Sequence, residues 1–222
     1  MTPISILKRC MPRLGGQIRN FRTLAIEYGQ WRSIKQQAAV DAVASPIPWY
    51  TYPAIEYLAS FDFQDKTVFE FGSGNSSKYW ASRAQSVISV EDDKAWYEQV
   101  SNEKSANQTI LHHADEQGYA QALPAQGRQF DIIIIDGKWR MSCTKAAVNH
   151  LKEGGLIILD NSDRAGEKEC SAFLRQQGFY QIDFTGFGPI NNYCWSTSIF
   201  IKAATSMQNG FDGPNPICGL GN

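Results

Sequence analysis

An α/β fold, a mostly parallel sheet with helices on both faces, is what this sequence predicts, and three observations carry that expectation. Val68–Asn75 reads V-F-E-F-G-S-G-N: strand formers run into Gly72 and Gly74, and a helix-like segment opens at Asn75. Phe130–Asp136 reads F-D-I-I-I-I-D, and four successive isoleucines call for burial on both faces, as in the middle of a parallel sheet. Strand-length apolar runs then alternate with helix-length segments as far as Lys202, and four of the runs lead into an acid, at Glu91, Asp115, Asp136 and Asp160.

The bulk properties narrow the class. A chain of 222 residues, 43% hydrophobic and 19% charged, suits one α/β domain with an extension. A net charge of −1 supplies no field for nucleic acid, which is not an expected partner. Five scattered cysteines without a C-x-x-C pair point to reduced thiols in the cytoplasm rather than to a zinc site or a disulfide framework. No apolar stretch approaches the roughly 18 residues of a transmembrane helix.

Residues 1–60 are expected to form a helical extension and an aromatic connector, 61–204 the main domain, and 205–222 a loosely held tail rich in Gly, Pro and Asn. In the extension, Lys8, Arg9, Arg13, Arg19, Arg22, Arg32 and Lys35 face one acid, Glu27. Ile18, Phe21, Leu24, Ala25, Tyr28, Trp31 and Ile34 recur at three and four, which predicts an amphipathic helix. Its stripe is expected either to pack on the domain or to meet an anionic membrane or a partner. The lack of acids before Glu27 also fits a removed targeting peptide. The connector, S-P-I-P-W-Y-T-Y-P at 45–53, reads either as a clasp over the sheet edge or as a lid over a ligand.

Along the domain, strands are expected at Val68–Phe71, Val87–Val90, Thr109–His112, Phe130–Asp136, Leu156–Leu159, Phe179–Phe184 and Ser196–Lys202, the last two forming an antiparallel closing pair. A helix over Ser142–Leu151 is expected to stop at Gly154-Gly155. His112 and His113 point to opposite faces of a strand and make no metal pair.

The turn at Gly72 and Gly74 lets backbone approach a ligand closely, at the mouth of a helix whose N–H groups point at it. Glu91 lies 17 positions after Gly74, where a βαβ unit offers a carboxylate to ribose hydroxyls. A dinucleotide fingerprint would have a third glycine where Ser77 stands, and Glu70 beside a pyrophosphate would repel it. Glu70 suits an ammonium instead. The segment E-F-G-S-G resembles motif I of the class I S-adenosylmethionine-dependent methyltransferases, and the resemblance extends over Val68 to about Lys202. It implies a Rossmann-like methyltransferase sheet and S-adenosylmethionine as cofactor, held by Glu70, Gly72, Gly74 and Glu91. Asp115 would bond the adenine amino group, or else cap the helix from Glu116. Trp96 would stack on adenine, or else join the core. An NAD-dependent oxidoreductase and a non-catalytic binding protein that keeps the fold are the alternatives.

Asp136, and Asp160-Asn161 24 positions after it, end two strands with hard oxygen ligands. The pattern resembles the metal-dependent catechol and caffeoyl-CoA O-methyltransferases, which implies Mg²⁺ on Asp136, Asp160 and Asn161 and a hydroxyl acceptor. Without a metal these residues would bond a polyol directly. Those families place a lysine three positions after the first aspartate; here Trp139 stands there, between Lys138 and Arg140. Asp136, Asp160 and Lys138, the last as base, are the catalytic candidates. D-N-S-D-R and G-P-I-N-N-Y-x-W-S-T-S-I-F are also similar to uncharacterised bacterial methyltransferases associated with surface polysaccharide clusters, which implies a small-molecule or carbohydrate acceptor.

Overall fold

A computed structural model describes residues 12–202. The expected tail at 205–222 and the first eleven residues lie outside the described residues. Seven strands form one sheet: β1 (Thr67–Phe71), β2 (Ser86–Glu91), β3 (Gln108–His112), β4 (Phe130–Ile135), β5 (Leu151–Leu159), β6 (Tyr180–Gly186) and β7 (Trp195–Ile201). Their order is β3-β2-β1-β4-β5-β7-β6. The pairings from β3 through β5 are parallel, and β7 runs antiparallel to both β5 and β6. This is the Rossmann-like methyltransferase sheet, mostly parallel with an antiparallel closing strand, and all seven expected strands are present.

The isoleucine run shows why the sheet is two-sided. Successive side chains of a strand alternate faces. Ile133 and Ile135 join Phe69, Phe71, Ile157 and Leu159 in one core. Ile132 and Ile134 join Val68, Leu156 and Ile158 in the other. The first core is covered by α6 (Glu116–Gln121), α7 (Arg140–His150) and α8 (Ala165–Gln176), through Tyr119, Cys143, Ala147 and Leu174. The second is covered by α3 (Tyr52–Ala59) and α4 (Asn75–Arg83), through Leu58, Tyr79 and Trp80. The remaining domain helix, α5 (Lys94–Asn102), follows β2.

Two local features depart from expectation. The helix α7 ends at His150, and β5 starts at once at Leu151. Gly154 and Gly155 form a bulge inside β5 instead of a helix stop. Gly154 has φ +73°, and a Cβ on Gly155 would lie 2.6 Å from the Asp131 carbonyl oxygen. The N-terminal segment is two helices instead of one. The first, α1 (Pro12–Arg22), runs on through a π-helical turn at Thr23–Glu27. Gly29, at φ +78°, then breaks the direction before α2 (Gln30–Gln36), and a Cβ there would strike the Asp41 backbone at 2.4 Å.

The connector clasps the sheet edge. The Thr51 hydroxyl donates to the Phe184 carbonyl at 2.8 Å, its N–H donates to the Thr197 hydroxyl at 3.1 Å, and Tyr50 is wholly buried. Trp49 in the same segment lines a cavity.

Candidate active site

The strand order reverses between β1 and β4, and open α/β sheets hold ligands in the crevice at that point. Backbone meets backbone there. Gly72 has φ +108°, and a Cβ on Gly137 would fall 2.0 Å from the Tyr119 hydroxyl and 2.9 Å from the Gly72 nitrogen. The turns after β1 and β4 therefore pack without side chains between them. Two cavities, of about 590 and 570 Å³, open along this edge, and both are lined by Ser73, Ser76, Trp96 and Asp136.

The smaller cavity lies over the β1 turn and the end of β2, and is lined by Glu70, Gly72, Glu91 and Lys138. Glu70 is buried and accepts from the hydroxyls of Ser76, Ser77 and Ser89. No cation pairs with it among the described residues. Ser77 holds the third-glycine place for a positive reason: the Gly74 N–H donates to its hydroxyl at 3.1 Å. Glu91 is fixed through Oε1 by the N–H groups of Asp92 and Asp93 at 3.0 and 3.1 Å, and through Oε2 by Ser73 at 2.8 Å. Trp96 does not join the core. It is 41% exposed, its indole N–H donates to the Ser73 carbonyl at 2.9 Å, and it borders both cavities.

Two candidates lie apart from the larger cavity. Asp115 accepts from Gly118 N–H at 2.8 Å as the N-cap of α6 and lines neither cavity. Lys138 pairs with Asp92 at 3.0 Å beside the smaller cavity and lies over the Trp139 ring, outside the lining of the larger cavity.

Burial raises the Glu70 carboxyl from 4.5 to about 7, against the pull of its three hydroxyl donors. A carboxyl whose folded pKa lies above its unfolded one contributes stability that is full below the unfolded value and lost as pH rises through the folded one. Glu70→Gln should therefore remove a loss of about 3 kcal/mol between pH ~4.5 and ~7. Thermal melts across that window should be flatter for the variant. Parallel curves would refute the perturbed carboxyl.

The larger cavity is lined by Asp136, Asp160, Asn161 and Arg164 from the sheet end, and also by Trp49, Asn191 and Tyr193. Asp160 is buried. Its Oδ1 accepts from Trp195 Nε1 at 3.1 Å and from the Thr197 hydroxyl at 2.5 Å. The segments D-N-S-D and W-S-T-S interlock along their length, since the Ser162 N–H donates to the Ser196 carbonyl and the Ser196 N–H to Asp163, each at 3.0 Å. Burial, and then the Asp136 charge, raise the Asp160 carboxyl; burial also raises Asp136, against the Arg140 and Arg164 charges.

Arg140 is the residue that sequence reasoning missed. Trp139 takes a left-handed conformation, φ +48°, just before α7 begins, and Arg140 lies across the ends of β4 and β5. Its guanidinium donates to Asp136 Oδ1 at 3.1 Å, to Asn161 Oδ1 at 3.3 Å, and to the carbonyls of Gly137, Asp136 and Asp160. Glu167 lies 3.7 Å from it.

The residues of the expected Mg²⁺ site are engaged within the protein. Two of its three proposed ligands, Asp136 and Asn161, are turned to a guanidinium, and the third holds Trp195 and Thr197. No cluster of three His, Cys, Asp or Glu suited to a metal occurs among the described residues. Trp139, at the place of the metal-dependent families' lysine, packs against Tyr119 and the core.

Solved methyltransferases share this fold. The precorrin-6y C5,15-methyltransferase of Geobacter metallireducens GS-15 superposes with a TM-score of 0.55 at 13% identity, over 68% of this chain and 87% of that one. A Klebsiella pneumoniae protein assigned as an O-methyltransferase superposes with a TM-score of 0.52 at 19% identity, over 68% and 77% of the two chains. At such identities the likeness is one of fold. No protein-family model matches the sequence, and no curated protein matches it.

Proposed function

We propose that this protein is an S-adenosylmethionine-dependent methyltransferase acting on a hydroxyl of a small molecule or sugar. The observation that carries the reading is the meeting of two chemically different cavities at Asp136, on the switch-point edge of a methyltransferase sheet. In the smaller cavity, the buried Glu70 carboxylate without a cation suits an ammonium group, and Glu91, braced from behind, suits the ribose hydroxyls. Gly72 and Gly74 leave room for the cofactor's close approach, and Trp96 offers a ring face for adenine. S-adenosylmethionine would supply a methyl group activated on a sulfonium.

The larger cavity supports a polyol acceptor. Carboxylate, amide and guanidinium groups share its lining with the aromatic residues Trp49 and Tyr193, a combination suited to bonding hydroxyls and covering ring faces. Asp160 is the base in this reading. Its raised basicity and its place on the cavity wall suit it to take the proton from the attacking hydroxyl. Lys138, paired with Asp92, is left to the cofactor side, and Asp115 keeps only its capping role. A cytoplasmic location is supported by Cys143, Cys170 and Cys194, which are all unpaired thiols. Among the described residues no helix is long and apolar enough to cross a membrane.

Calorimetry with S-adenosylhomocysteine tests the reading. Glu91→Ala removes two charge-assisted bonds of about 1.5–3 kcal/mol each, so affinity should fall more than tenfold in a protein that still melts cooperatively. Unchanged affinity would overturn the assignment of Glu91. A folded wild type that binds NADH and not S-adenosylhomocysteine would make the protein an oxidoreductase.

A further inference from the structure

The two N-terminal helices carry more apolar surface than the domain covers. Their inner side is anchored. Leu24 and Tyr28 pack against Ala39, Ile47 and Tyr52, and the Ser33 hydroxyl donates to the Val40 carbonyl at 2.7 Å and accepts from its N–H at 3.1 Å. Their outer side is left uncovered by the described residues. Leu14, Ile18 and Phe21, at i, i+4 and i+7, share one face of α1 and are exposed, Phe21 at 67%. Ile26 follows at 58%, and on α2 Trp31 at 61% and Ile34 reach solvent.

Cations are set among these side chains. Arg19 and Arg22 lie on α1, and Arg32 and Lys35 on α2. Glu27 is the one acid between Leu14 and Gln37, and it sits 4.0 Å from Arg22. Arg19, Arg32 and Lys35 have no carboxylate within ion-pair reach among the described residues.

Single exposed apolar residues are ordinary, but a run of them flanked by charge of one sign marks a docking surface. A second copy of this chain would bring like charges together across such a face. An anionic bilayer meets both demands: apolar side chains enter the headgroup boundary, aromatic rings settle at it, and guanidinium and ammonium groups reach lipid phosphates. We propose that α1 and α2 dock this protein on an anionic phospholipid surface. The inference stands apart from methyl transfer. It bears on the site because the chain after α2, at Gln37–Ala39, lines the larger cavity.

The test is co-sedimentation of the full chain with phosphatidylcholine vesicles, with and without phosphatidylglycerol. Binding should need the anionic lipid and weaken as salt rises. Phe21→Asp with Trp31→Asp should cut it by roughly tenfold or more at unchanged melting temperature, since both rings are solvent-exposed. Arg32→Glu with Lys35→Glu, which removes no apolar contact, should do the same. Wild-type protein left in the supernatant at low salt would overturn the proposal, and so would equal binding to neutral vesicles. Self-association that both pairs of substitutions abolish, without vesicle binding, would make the face a contact between copies instead.

Discussion

Asp160→Asn should abolish turnover, by about 10²–10⁴-fold, while S-adenosylhomocysteine affinity stays within roughly threefold. The substitution keeps the shape of the side chain and leaves an oxygen to accept from Trp195 and Thr197, so the strand ends stay latched. What it removes is the capacity to take a proton. The cofactor's proposed contacts, Glu70 and Glu91, are untouched. The pH profile supplies a second readout. Asp160 must be ionised to act, and burial together with the Asp136 charge raises its carboxyl, so wild-type turnover should climb with pH through the titration of the pair. Residual turnover in the variant should lack that limb. A variant as active as wild type would remove Asp160 as base.

Much of this was legible because it is local. The strand, turn and helix of Phe69 to Lys78 and the strand ending at Glu91 form one βαβ unit, so spacing alone brings Glu70, Gly72 and Glu91 to one cavity and Gly74 to the adjoining one. The isoleucine run dictated a buried strand because both of its faces are apolar. The acceptor side depends instead on contacts between distant segments. Asp160 is held by Trp195 and Thr197, 35 and 37 residues away, across the β5–β7 pairing. A signal was present in the polar alternation of W-S-T-S opposite D-N-S-D, which reads as two segments matched to each other. Arg140 escaped for a related reason. Its role is set by where β5 falls beside β4, and by Trp139 in a left-handed turn that its own sequence does not favour. The lysine expected at that position drew attention to Lys138, which the turn points toward Asp92. In the extension the apolar period marks helix, as α1 and α2 show. The periodicity could not show that Gly29 would divide it, or that much of its stripe would face solvent.

Arg140→Ala should destabilise the fold by about 3–5 kcal/mol, because it takes the guanidinium away from the half-buried Asp136 and the buried Asp160 and leaves only the Arg164 charge near Asp136. For a chain of this size that is a fall in melting temperature of very roughly 10 °C. The effect should depend on pH, with a sign that identifies its cause. Burial already raises both carboxyls, and the Arg140 charge is among the influences holding them down. Without it their folded pKa values rise further above the unfolded ones, so the variant loses stability as pH rises and regains part of it at acid pH, where both groups are protonated. Melts of wild type and variant should converge toward pH ~5 and diverge toward pH ~8. A gap that is equal at both ends would mean that Arg140 acts through the carbonyls of Gly137, Asp136 and Asp160 alone, as a cap on two strand ends. Arg140→Lys separates the two roles. It restores the charge but not the planar fork that reaches Asp136 and Asn161 together, so it should recover the pH dependence and only part of the stability. The same fork bears on turnover. With Asp136 and Asn161 held by a guanidinium, excess chelator should leave wild-type activity unchanged, and loss of activity that Mg²⁺ restores would show that Arg140 yields its place to a metal during the reaction.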